Sequence, residues 1–390
     1  MKIYEERRLK LTENLSGDIA VIIPGSVLAN RSNDTAYPFR QDSNFYYLSG
    51  FNEPDSTLMI INKSGKTNSI GFVPKKDKLK EIWDGFRHGP EGMKSDFGFN
   101  DAFNNDEIDE LLPDLLDGVS CVYYPFGKVE GFDQKVIKWT KKANSKDRHS
   151  KKMEIADISK IIGNKRLIKD SYEINIIEKA CKISANAHLE AMKFVKPGMN
   201  EAEVEAFYLY EFAKNGGRFP AYNPIVASGE NACVLHYVEN NQVINDGDLL
   251  LVDAGCEYEM YASDITRTFP ANGKFSDEQL QIYNIVLEAQ KASVDAVSKG
   301  NGVMDPQTIS EKVITEGLID LGIIKGNLEE EHEKGSFKDF YMHKIGHWMG
   351  MDVHDVGDYM HEGEFIKFDE GMITTTVSYT HLRAHETDRH

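Results

Sequence analysis

A chain of 390 residues has room for two or three domains and a large apolar core, so it needs no disulfide or metal staple to fold. Its net charge of −18 excludes the basic footprint of a general nucleic-acid-binding or anionic-membrane surface. No apolar run approaches the ~18 residues needed to span a bilayer, and the start MKIYEERRLKLTEN has no apolar stretch of the signal-peptide kind. The expectation is therefore a cytoplasmic protein with no membrane partner. Cys121, Cys181, Cys233 and Cys256 are spread too widely for a CxxC pair and read as small buried hydrophobes.

The first 165 or so residues carry short apolar runs between turn signals. Ile19–Ile23, Phe45–Leu48, Thr57–Ile61 and Val119–Tyr124 read as buried strands, and Asp106–Leu116 has helical spacing. This describes an α/β or α+β domain. From Ile174, the apolar positions Ile174, Ile177, Cys181, Ala185, Leu189 and Met192 recur at helical intervals until Lys196-Pro197-Gly198 stops the helix. A second helix opens at Asn200, with Glu203 three residues on, and ends at Gly216-Gly217. Strands are expected at Leu249–Val252 and around Ile265–Phe269. A capping box at Ser276–Gln279 then opens a long helix. Met372-Ile373 reads as a strand entering the core. We place a domain boundary at residue 168, with a second domain over 169–377. The His-rich, apolar-poor residues 378–390 are expected to be a solvated tail foreign to the domain.

Three segments carry chemistry. In LLLVDAGCEYEMYASDITRTFP, Asp253 closes an apolar strand and Asp264 follows 11 residues later, past a polar turn near Tyr258-Glu259. An odd separation across an even turn lets the two carboxylates face each other on a strand pair. If buried, such a pair must share a proton or hold a cation, and hard divalent ions suit oxygen donors. The bland alternative is two turn-capping carboxylates at a wet sheet edge. In YMHKIGHWMGMDVHDVG, His343, His347 and His354 cluster with Asp352 and Asp355, and Gly346 and Gly350 suggest a loop passing close to something. Satisfied core histidines are the alternative there. In SGENACVLHYVEN, His236 lies 17 residues before Asp253 and says little alone.

Taken in order and spacing, these segments resemble the pita-bread metallopeptidases, in particular the aminopeptidase P (Xaa-Pro aminopeptidase) family. RSNDTAYPFRQDSNFYYLSGFNEP (Arg31–Pro54) and EIWDGFR (Glu81–Arg87) resemble that family's N-terminal domain, and the likeness runs over residues 1–373. The resemblance implies an α/β N-terminal domain plus an α+β catalytic domain with a mixed, largely antiparallel curved sheet covered by helices. It implies two divalent metal ions, usually Mn2+, with Asp253 a bidentate ligand, Asp264 a bridging ligand and His347 the histidine ligand. A hydroxide held between the metals would attack the peptide carbonyl. His236, His343 and His354 match the family's catalytic histidines, which contact substrate or the tetrahedral species. Asp34, Trp83 and Arg166 match residues at or near its substrate pocket, partly across a subunit boundary. The implied partners are peptides beginning Xaa-Pro and further copies of the chain, as a dimer or tetramer.

The end of the sequence departs from the family pattern. Gly371-Met372 is followed by Ile-Thr-Thr-Thr-Val-Ser-Tyr, where the family has a strand ending in Val-Glu-Pro-Gly and later an Arg-x-Glu segment. Three of five implied ligands are present, so the expectation is a catalytic domain incomplete at its C-terminal end and impaired in activity. Two further readings stand beside the aminopeptidase: a prolidase with the same metal constellation, and a metal-free pita-bread protein that binds peptides without cleaving them.

Overall fold

The alternation of short apolar strands and helices in the first 165 residues folds into a single sheet with helices laid on it. The structure is a computed structural model that describes residues 2–146 and 152–376, and the expected tail at 378–390 lies outside the described residues. Two compact units divide between Lys165 and Arg166, three residues before the expected boundary.

In the first unit, strands β1 (Ile19–Pro24), β2 (Thr57–Lys63), β3 (Lys66–Val73), β4 (Asp101–Asn104), β5 (Cys121–Tyr124) and β6 (Glu154–Asp157) form one sheet in the order β4-β3-β2-β1-β5-β6. β1 is buried along its whole length, which its uniform IAVII run requires of a central strand. It pairs antiparallel with β2 and parallel with β5, giving a mixed sheet. Helix α1 (Ser43–Ser49) corrects one expectation, because it contains the Phe45–Leu48 segment read as a strand. The Asp42 carboxylate accepts the Phe45 N–H at its start, and Gly50 closes it in the left-handed conformation at φ 67°. A four-residue apolar run cannot by itself separate a buried strand from a buried helix. Short helix α2 (Lys78–Asp84) buries none of its residues. Helices α3 (Ile108–Leu115) and α4 (Phe132–Asn144) supply Leu112, Val136 and Trp139 to the core that includes Ile22, Met59 and Phe72.

The second unit opens with α5 (Ser171–Phe194) and α6 (Glu201–Lys214), each begun by a capping box, Asp170/Glu173 and Asn200/Glu203. The buried face of α5 is not the expected stripe. It runs through Ile176, Ala180, Ile183, Ala187 and Ala191, while Leu189 is 56% exposed. Small alanines let the helix approach the strands closely, so packing distance outweighed side-chain hydrophobicity.

The strands follow as β7 (Phe219–Pro220), β8 (Ile225–Ser228), β9 (Leu249–Asp253), β10 (Cys256–Tyr258), β11 (Tyr261–Ala262) and β12 (Thr266–Pro270). They form two antiparallel three-stranded sheets, β8-β9-β12 and β11-β10-β7. The core between helices and strands holds Ala180, Val204, Tyr208, Phe212, Val226, Leu250, Val252 and Phe269. Helices α7 (Asp277–Ala296) and α8 (Asp305–Asp320) share a second cluster through Ala289, Ile314 and Leu318. The strand expected at Met372-Ile373 is replaced by an isolated bridge between Trp348 and Thr374. Among the described residues no helix is long and apolar enough to cross a membrane.

Candidate metal centre

Strand β9 pairs on both edges, with Ile225 opposite Asp253 and Asp253 opposite Thr266. The chain then continues into the β10–β11 hairpin, where Tyr258 opposes Tyr261. Its turn is Glu259-Met260, both at positive φ (48° and 72°), the geometry of the type I′ turn that matches strand twist. One register runs through both hairpin segments, so Asp264 falls opposite Gly255, two steps along from the Asp253–Thr266 pair. The aspartates are therefore diagonal neighbours on one face, a correction to the direct opposition expected from spacing. Gly255 permits this crossing, because a Cβ there would stand 1.8 Å from the Ser263 carbonyl oxygen.

The diagonal gap is closed by the side chains. The Tyr222 hydroxyl lies 2.5 Å from Asp253 Oδ1 and 3.0 Å from Asp264 Oδ1, so those two oxygens are at most 5.5 Å apart. One phenolic hydrogen serves only one acceptor at a time, which leaves the second carboxylate short of a proton. Burial, and then the negative charge of Asp264, push the Asp253 carboxyl up to about 7. The same burial and both carboxylates hold the Tyr222 phenol well above its ordinary value. The other Asp264 oxygen, Oδ2, meets His347 Nε2 at 3.1 Å.

His347 is held by backbone on both sides. Thr375 N–H donates to its carbonyl at 3.0 Å and Met349 N–H donates to the Ile373 carbonyl at 3.1 Å. A Cβ on Gly346 would stand 2.1 Å from the Thr375 carbonyl oxygen, which explains a glycine there. The imidazole Nδ1 lies 3.0 Å from the Trp348 carbonyl, so Nδ1 carries a hydrogen. Nε2, turned to the Asp264 carboxylate, carries a second one, because Asp264 raises the proton affinity of the ring against the opposing effect of burial. The His354 ring packs edge-on against it, with centroids 4.3 Å apart. Burial, then the neighbouring charges of His347 and His236, lower the His354 proton affinity, so it is neutral at pH 7.

The Metallopeptidase family M24 profile matches residues 175–381, and the profile of the aminopeptidase P N-terminal domain matches residues 4–123. The chain is 40% identical to the Xaa-Pro aminopeptidase of Haemophilus influenzae over 95% of its own length and 84% of that protein's. The chain belongs to metallopeptidase family M24. It superposes on Pseudomonas aeruginosa aminopeptidase PepP with a TM-score of 0.95 at 39% identity, covering 98% of this chain and 87% of that one. A zinc-substituted Escherichia coli aminopeptidase P in complex with product gives a TM-score of 0.94 at 37% identity over 98% and 87% of the two chains. The pita-bread catalytic domain and its aminopeptidase P-type N-terminal domain follow from these likenesses.

For an M24 chain, the donor set fits a divalent metal in kind: two carboxylates forming a buried like-charge pair, and an imidazole whose orientation its Nδ1–H fixes. Among the described residues, no group of three or more His, Cys, Asp or Glu side chains is arranged to hold an ion. The aspartates are turned instead onto Tyr222 and His347, which satisfy them by hydrogen bonds and ion pairing.

The remaining predicted site residues divide by unit. His236 is exposed on the segment between the Gly229–Cys233 turn and β9. The His343 ring stands edge-on to Tyr341 with its Nδ1 2.8 Å from the Lys344 carbonyl. Asp34 and Trp83 belong to the first unit, and both are exposed, Trp83 at 87%. Arg166, implied at or near the substrate pocket, is 2% exposed, and its Nη2 lies 2.8 Å from Asp352 Oδ2 and 2.5 Å from Asp355 Oδ1. Lys169 Nζ reaches the other Asp355 oxygen at 3.0 Å. Because Asp355 N–H donates to the Trp348 carbonyl, this buried cluster clamps the loop that carries His347 and His354. Tyr222 and Lys169 went unassigned in the sequence, since no spacing links them to the segments they serve.

Proposed function

We propose that this chain is an Xaa-Pro aminopeptidase, releasing the N-terminal residue from peptides whose second residue is proline. The observation that supports this best is the convergence of Asp253, Asp264 and His347 in one site where burial and the Asp264 charge push Asp253 up to about 7. Asp253, Asp264 and His347, together with the two glutamates that the resemblance implies, would hold divalent ions, which we assign as a pair of Mn2+. Bound there, such ions would activate water and polarise the scissile carbonyl. Tyr222 positions both carboxylates, and the Trp348 carbonyl aims His347. His354, neutral at pH 7, and His236 would donate hydrogen bonds to the developing oxyanion, with His343 beside substrate. Asp34 and Trp83 would meet substrate from the N-terminal domain of this or a second subunit, in a cytoplasmic homo-oligomer.

The names of the relatives support proline selectivity, and a cleavage assay with a tripeptide carrying proline second tests it. Cleavage of that tripeptide is expected, with slower cleavage when alanine replaces proline. Cleavage of an Xaa-Pro dipeptide alone would favour the prolidase reading, and tripeptide binding without cleavage in the presence of metal would favour a peptide-binding role. With Ile373–Val377 standing where the resemblance implies the first glutamate, we further propose that the polypeptide of this sequence turns over poorly until both glutamates are supplied.

A further inference from the structure

Glu201 opens α6 and is completely buried, yet the donors that meet its carboxylate are all neutral. Oε1 accepts from Ser228 N–H at 2.8 Å, Ser228 Oγ–H at 2.7 Å and Asn231 Nδ2–H at 3.0 Å. Oε2 accepts from Tyr237 O–H at 2.8 Å and Gln242 N–H at 3.0 Å. Five donors hold the carboxyl ionised below its ordinary range against the opposing effect of burial. An ionised carboxylate without a counter-cation is an expensive way to fill a helix N-terminus that an apolar side chain would fill freely. What it gains is grip on one segment, because its four partner residues span 228–242 and bracket His236. Tyr237, the next residue, is anchored at both ends. Its ring packs with Ile225, Ala227 and Leu251, and its hydroxyl is on Glu201. Asn240 adds a second strap, accepting Val226 N–H at 2.9 Å and donating to Glu205 Oε2 at 2.9 Å.

We infer that Glu201 is the positioning residue for His236, fixing through Tyr237 the backbone from which that exposed imidazole meets substrate. The inference rests on the reading of His236 given above. Its test uses the 390-residue chain with labelled histidine, comparing wild type, Glu201→Gln, Tyr237→Phe and the double variant. Tyr237→Phe keeps the ring packing and removes one bond, so it folds even where Glu201→Gln does not. In Tyr237→Phe the amides of 234–241 should exchange roughly tenfold faster, the scale of one buried hydrogen bond. The His236 Cε1–H resonance should broaden, while β9, β12 and α6 keep their protection. The double variant should match the larger single change, as two groups in one contact do. Unchanged exchange over 234–241, or an equal acceleration across the second unit, would overturn the assignment. If loop protection does depend on Glu201 but His236→Ala leaves turnover intact in a chain supplied with both glutamates, the proposal falls through the role of His236, not through the anchor.

Discussion

The surroundings of Asp253 make it costly to charge. Its proton affinity in the folded chain is raised to about 7, whereas an unfolded aspartate titrates near ~3.9. The folded state thus binds more protons than the unfolded state between those values, and metal-free stability falls as pH rises through that window. Asp253→Asn removes the penalty. With metal chelated, it should melt about 4 °C above wild type at pH 7.5, and the gain should shrink as pH falls and vanish near pH ~4. A gain of equal size at all pH values in thermal melts would contradict the assigned cause. Among the histidines, His236→Ala or His354→Ala in a chain supplied with both glutamates should lower kcat by about 10²–10³ with metal content unchanged. Loss of metal from either variant by elemental analysis would make it a ligand instead. The aspartate pair and the histidine cluster were legible because each lies within one short segment. Tyr222 was not, since it stands 31 residues before Asp253 and meets it only through the fold.

At the scale of elements, the hairpin from Leu249 to Pro270 was readable as two strands, but its register was not. Spacing allowed direct opposition of the aspartates, and the Glu259-Met260 turn shifted them to a diagonal. Gly255 is what that diagonal depends on. Gly255→Ala should destabilise the chain by about 3 kcal/mol, because the obstacle is Ser263 backbone rather than a mobile side chain. Denaturant unfolding checks it, and a cost below ~1 kcal/mol would mean that the strands part easily. Two other elements were misread for a similar reason: α1 was taken for a strand, and the buried face of α5 was displaced toward its alanines. Local pattern names an apolar run, whereas the neighbours decide its geometry and which side faces inward.

For the molecule as a whole, composition and periodicity change together near residue 168, and two compact units divide between Lys165 and Arg166. The ligand count leads to a whole-chain prediction. Two carboxylates and one neutral imidazole carry less charge than two dications need, so the 390-residue polypeptide should bind less than one equivalent of Mn2+ by calorimetry. Two tightly held equivalents would show that other residues complete the set. The buried clamp on the histidine loop has a consequence for how the chain comes off the ribosome. Arg166 and Asp352 are 186 positions apart, and Arg166 and Asp355 are 189 apart. At ordinary elongation rates, Arg166 and Lys169 wait on the order of ten seconds or more for their counter-ions to be synthesised. Two cations destined for burial stay hydrated until then, because the loop carrying His347, His354 and both counter-ions has yet to be made. The histidines should therefore be among the last parts of the nascent chain to settle, which keeps a hydrolytic centre unassembled while the polypeptide is still being made.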